Sequence, residues 1–97
     1  MHLEIVSPEV TLFSSEVDSV VVPGVNGEFE MLSNHAPIVS ILSEGTIRIK
    51  THSQSHLVFD ELHGDVVPHA NDNKVLTVKI NSGTIEMKDN KLIILAD

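Results

Sequence analysis

The chain holds no cysteine, no tryptophan and no tyrosine, and its three aromatic side chains are Phe13, Phe29 and Phe59. Without cysteine there is no disulfide framework, no thiolate metal site and no sulfur nucleophile. With so few rings, the core must be aliphatic. Cations are scarce too: six Lys and Arg face fourteen Asp and Glu, for a formal charge of −8. A phosphate-binding face needs clustered Lys and Arg, so nucleic acid and anionic membrane surfaces are disfavoured, while a basic protein partner is not. Residues 1–20 lack a basic start, and Glu4, Glu9, Glu16 and Asp18 interrupt every apolar run there. Neither a signal peptide nor a membrane-spanning helix is expected. Any work at a membrane is expected to go through partners.

Helical periodicity is missing as well. No stretch of a dozen residues places apolar side chains at i, i+3, i+4 and i+7, so no long helix is expected. What is present is alternation. Ile47 and Ile49 alternate with Thr46, Arg48 and Lys50; Ile85 and Met87 alternate with Thr84, Glu86 and Lys88. Leu76, Val78 and Ile80 alternate with Thr77 and Lys79. These read as antiparallel strands with one face in the core and one in water. Val20–Val22 and Leu92–Leu95 are apolar on both sides and suit more fully covered strands.

Turn signals recur about every ten residues, at Ser7-Pro8, Pro23-Gly24, Asn26-Gly27, Asn34 to Pro37, Glu44-Gly45, Asn71 to Asn73, Ser82-Gly83 and Asp89-Asn90. Asn26-Gly27 is the strongest, since both residues tolerate positive φ. With 41% hydrophobic residues, the 97-residue chain reads as one all-β domain spanning 1–97. A flattened sandwich of two antiparallel sheets is the expected architecture. The segment from His52 to Asn73 is the most polar, with short strands expected near Leu57–Phe59 and Val66-Val67.

Catalytic patterns are wanting. There is no Gly-x-Ser-x-Gly elbow, and no glycine-rich loop opens a helix that could cradle phosphate. Carboxylates fall mostly on outward strand positions and turns. His52 and His56, with His63 and His69 following, could share a strand face as metal ligands, but Gln54-Ser55 looks like a turn that separates the pair. Solvated histidines are the favoured reading, with no metal site and no cofactor expected. His35, inside Asn34-His35-Ala36-Pro37, is either a turn residue bonded to local backbone or a partner contact.

The order of short motifs is distinctive. Leu3 to Glu9, Leu12-Phe13-Ser14, Val20 to Gly24, Gly27-Glu28-Phe29, Asn34 to Pro37 and Gly45 to Ile49 together resemble the N-terminal half of ATP synthase ε subunits (δ in mitochondria). Gly83 to Met87 and Asn90 to Asp97 resemble the family's last sandwich strands. The resemblance implies a non-catalytic rotor part that sits beside the γ subunit and the c-ring of a proton-translocating synthase and couples the two. It implies a peripheral place on the cytoplasmic face of a bacterial inner membrane. Asn26, Gly27, Glu28, Ser33, Asn34, His35 and Pro37 are carried over as contacts to the ring or γ, with Glu28 the acid most suited to reach basic or amide groups. Val39, Ile41 and Leu42 either pack on γ or belong to the core.

Two departures stand out. Between Ile49 and Ile80 the chain is longer than the family pattern, and Ser82 stands where a glycine pair is usual, so no family residue transfers to His52–Lys79. An enlarged surface connection that lengthens a hairpin is expected there. The pattern also continues past Leu95-Ala96-Asp97 into a two-helix hairpin that restrains ATP hydrolysis. A start at Met1 and a stop at Asp97 suggest a natural short form without that brake and without the hairpin's nucleotide site. The competing reading is a free-standing β-sandwich binding module for sugars or metal. The lack of Trp and Tyr counts against sugar stacking.

Overall fold

Alternating side chains organise ten strands, and no helix occurs among the described residues. The structure is a computed structural model that describes residues 1–51, 66–69 and 72–97. The strands are β1 (His2–Val6), β2 (Thr11–Glu16), β3 (Ser19–Gly24), β4 (Gly27–Leu32), β5 (Ile38–Leu42), β6 (Gly45–Lys50), β7 (Val66–His69), β8 (Asp72–Ile80), β9 (Gly83–Lys88) and β10 (Lys91–Ala96). All-β architecture is thus as expected. The strand expected at Val66-Val67 is β7, while Leu57–Phe59 and the histidines His52, His56 and His63 lie outside the described residues.

The strands form two five-membered halves, β2-β1-β10-β9-β5 and β4-β3-β6-β8-β7. A single residue pair, Gly24 with Leu42, joins them through β3 and β5. The expected sandwich is therefore one continuous sheet curled around its core. All pairs are antiparallel except β1 and β10, which run parallel with Leu3 opposite Leu92 and Ile5 opposite Ile94. Parallel neighbours cannot be closed by a tight hairpin, and here nearly the whole chain serves as the connection between them.

The inward side chains form one aliphatic cluster. Leu3, Ile5, Val20, Val22, Met31, Ile47, Ile49, Leu76, Ile85, Leu92 and Ile94 are fully buried in it, drawn from both halves. Each is an inward member of an alternating strand, so period-two patterning alone sorts the two faces. One strand breaks the period. In β2 both Leu12 and Phe13 are buried, because the register with β1 slips between Ile5 and Val6 and leaves Leu12 as the extra residue of a bulge. Pro68 lies in β7, which closes one edge of the sheet among the described residues, where a missing N–H costs no interior ladder bond.

β3 matches its expectation of full coverage, with five of its six residues buried. β10 does not: Leu95 is 54% exposed. Its two edges are paired to β1 and β9, but nothing among the described residues covers its outer side.

Thr51 carries the clearest polar defect. The side chain is buried, and its Oγ1 has no hydrogen-bond partner among the described residues. A buried hydroxyl left unpaired costs about 1–3 kcal/mol, whereas an apolar group of the same shape carries no such cost. Thr51→Val is therefore expected to raise Tm by roughly 4–8 °C, at the lower end of that cost, read by thermal unfolding. An unchanged or lower Tm would show that the hydroxyl is satisfied in solution.

Candidate partner-docking surfaces

The seven residues carried over from the sequence gather along one strand. Asn26, Gly27 and Glu28 stand at the start of β4, and Ser33, Asn34, His35 and Pro37 follow its end. The two groups are about 20 Å apart, six residues of extended chain. They share no pocket. They flank a common edge, because β4 pairs only with β3 among the described residues.

At the start, the turn differs in detail from the sequence reading. Its two central residues are Val25 and Asn26, and the positive φ falls on Gly27 (120°) rather than on Asn26. Glycine suits that conformation because it has no Cβ to clash. Glu28 is exposed, but its carboxylate is engaged. Arg48 reaches across β3 and donates from Nη1 to Oε2 at 3.0 Å and from Nη2 to Oε1 at 3.3 Å. Two parallel bonds from a planar guanidinium fix the carboxylate in orientation as well as charge. Glu30 lies one pleat further along the same exposed side of β4.

At the other end, the bend is tied to its neighbours. The Asn34 N–H donates to Asn90 Oδ1 at 2.8 Å, and Asn34 itself has φ 63°. Asn90 sits in the β9–β10 hairpin, where Asp89 and Asn90 both have positive φ (53° and 60°), as a primed two-residue turn requires. Ser33 Oγ accepts from the Met1 ammonium at 3.4 Å. His35 follows the reading of a turn residue bonded to local backbone. Its ring Nδ1 donates to Ala36 O at 2.7 Å, since a carbonyl can only accept, while the side chain remains exposed. That bond holds the ring and leaves Nε2 as its other polar atom.

A second surface was only half legible in the sequence. Of Val39, Ile41 and Leu42, the last is core at 1% exposure, whereas Val39 and Ile41 are 75% and 63% exposed. The outward residues of this half fall in rows across the sheet. Val6, Leu95, Thr84 and Ile41 form one row; Glu4, Ile93, Glu86 and Val39 form the next. His2, Lys91 and Lys88 form a third. The face thus passes from an apolar row to rows of mixed charge, with Glu4 and Glu86 in the second and Glu16 opposite His2 in the third. Its apolar end borders an open groove of about 640 Å³ lined by Val6, Pro8, Ile41, Thr84, Leu95 and Ala96. Leu95 was missed because Leu92–Leu95 reads as apolar on both sides, which alone cannot tell a covered strand from an open one.

Among the described residues, no cluster of three His, Cys, Asp or Glu is placed to hold a metal, and no helix is long and apolar enough to cross a membrane. Residues 1–61 match the family model described as ATP synthase, Delta/Epsilon chain, beta-sandwich domain. The chain belongs to that family. The match spans β1 to β6 and the connections between them, and so includes the seven residues carried over from the sequence. The chain is 37% identical over 97 residues to an ATP synthase epsilon chain of Campylobacter curvus, covering 100% of this chain and 60% of the relative. It is 34% identical over 96 residues to that of Desulforamulus reducens, covering 99% and 58%. The chain therefore spans about 60% of the length of these relatives.

Solved structures give the same fold. One is the central stalk and c-ring of the Tetrahymena thermophila mitochondrial ATP synthase, with TM-score 0.69, 12% identity, and coverage of 98% of this chain and 61% of that one. Another is the OSCP/F1/c-ring part of the Euglena gracilis mitochondrial ATP synthase, with TM-score 0.72, 16% identity, and coverage of 97% and 48%. At these identities the likeness concerns fold.

Proposed function

We propose that the chain is a central-stalk subunit of an F-type ATP synthase, joining the c-ring to the γ subunit and carrying no catalytic group itself. The observation that carries this reading, beyond family membership, is a pair of exposed surfaces on one continuous sheet. A coupling element needs two docking sites on a body that resists shear, and close-packed aliphatic cores deform little. The outer face with Val39, Ile41 and Leu95 suits an apolar surface of γ. The β4 edge, from Asn26 to Glu28 and on to the bend at Ser33 to Pro37, suits polar loops of the ring. Such a part sits at the membrane peripherally, through the complex, on the cytoplasmic face if the host is bacterial.

The acid–arginine pair gives a direct test. Because both members are about half exposed, removing either should change stability by no more than about 1 kcal/mol. Glu28→Gln is expected to weaken binding to isolated c-ring at least roughly tenfold, since a charged group at a contact is lost. The double exchange Glu28→Arg with Arg48→Glu rebuilds the intramolecular pair with its sign reversed across the edge. It should restore stability but not ring binding. If the exchange binds the ring like the wild type, the ring does not read the carboxylate and the β4 edge is assigned wrongly.

A further inference from the structure

We infer that Asn26 is a self-modifying site, where the turn converts spontaneously from asparagine to aspartate and isoaspartate. The chemistry needs no enzyme. The backbone nitrogen of Gly27 attacks the side-chain Cγ of Asn26, forming a C–N bond and closing a five-membered succinimide. The C–N bond of the side-chain amide breaks, and its nitrogen leaves as ammonia, taking up the proton released by Gly27. Water then opens the ring at either carbonyl, giving aspartate or isoaspartate. No oxidant or reductant takes part.

Three observations favour this position. The residue that supplies the attacking nitrogen is glycine, and nothing lies within 4 Å of the place where a Cβ would stand, so no side chain crowds that nitrogen. Asn26 is exposed at the tip of the β3–β4 hairpin. Its side chain makes no hydrogen bond among the described residues, so no bond must break before the ring closes. Three other asparagines are held back. Asn90 Oδ1 accepts from the Asn34 N–H, and its successor is Lys91. Asn34 is tied at its own N–H, which donates to Asn90 Oδ1, and its successor is His35. Asn81 precedes Ser82. In each of these three the following residue carries a side chain that crowds the attacking nitrogen.

The product matters because of where it forms. It adds a negative charge two residues from Glu28, on a chain already at −8. The isoaspartate form also inserts a methylene into the main chain of a two-residue turn whose ends are paired, Gly24 with Gly27. If the β4 edge faces the ring, as proposed above, ageing of the protein would weaken that contact. The modification itself does not depend on that reading.

The test is incubation of the purified chain in warm, mildly alkaline buffer, followed by peptide mapping and labelling with protein isoaspartyl methyltransferase. The expected result is an amide-to-acid mass gain confined first to the peptide holding Asn26, with methyl acceptance at that position. Asn26→Gln should abolish both, because the longer side chain would have to close a six-membered ring. Two results overturn the inference: an unmodified Asn26 after a short peptide of the same local sequence has fully converted, or earlier conversion at Asn81 or Asn90. Ring binding of the aged, converted chain is then measured separately. Unaltered binding counts against the assignment of the β4 edge and leaves the modification site standing.

Discussion

Replacing Ile41 by aspartate is expected to weaken the complex with γ by at least about a hundredfold while leaving the fold intact. Ile41 is 63% exposed in the isolated chain, so most of its surface is free to be covered by a partner. Covering an isoleucine side chain contributes about 1.5–3 kcal/mol. A carboxylate in its place loses that contribution and adds the cost of taking an unpaired charge out of water. Together these exceed about 3 kcal/mol, which is about a hundredfold in affinity. Val39→Asp should act in the same direction, since Val39 is one row further along the same face and 75% exposed. Neither change touches the core, so each should alter stability by only about 0.5 kcal/mol. Isothermal titration of γ against each variant, beside a thermal melt, separates binding from folding. Unchanged affinity in both variants would remove this face from the stalk contact. Leu42→Asp is the control that must unfold the chain, because the adjacent side chain is buried at 1% exposure.

The largest stability effect expected of a small change is at Gly83. A Cβ built there stands 2.5 Å from the backbone oxygen of Leu95. Real Cβ atoms do not approach oxygen so closely, and a main-chain carbonyl in a ladder cannot rotate aside as a long side chain would. Gly83→Ala must therefore push β9 away from β10 near the Gly83–Ala96 pair. The same residue is paired with Leu42 of β5, next to the one pair that joins the two halves of the sheet. Forced overpacking of this kind costs about 1–3 kcal/mol, which lowers Tm by roughly 4–20 °C in a domain of this size. Gly27→Ala is the informative comparison. It meets open space, so its cost is only that of holding a side chain at φ 120°, about 1–2 kcal/mol. A Gly83→Ala variant that melts with the wild type would mean the β9–β10 approach is looser than described.

Much of the fold could be read from alternation, because the rule that sorts side chains to two faces acts locally. Ile47, Ile49, Leu76, Val78, Ile85 and Met87 are inward as their patterns require. What escaped was set by distant pairing. The parallel contact of β1 with β10 joins the two ends of the chain, and no local pattern encodes it. The bulge that buries Leu12 beside Phe13 arises from a slip against β1. The Glu28–Arg48 pair needs the combined register of β4, β3 and β6, three strands that sequence spacing does not align. The same holds for the outer face. Ile41 and Leu42 are equally apolar neighbours, and only the sheet's placement makes one core and the other surface. Motif order supplied what periodicity lacked, by pointing to the family that the match over residues 1–61 shows.

The stalk reading is tested most directly by mixing the purified chain with its cognate γ subunit and following both by size-exclusion chromatography. Stoichiometric co-elution, lost on Ile41→Asp and kept in Glu28→Gln, is the result expected if γ takes the outer face and the ring takes the β4 edge. Separate elution of the chain from a demonstrably folded γ would contradict the assignment of this domain to the central stalk.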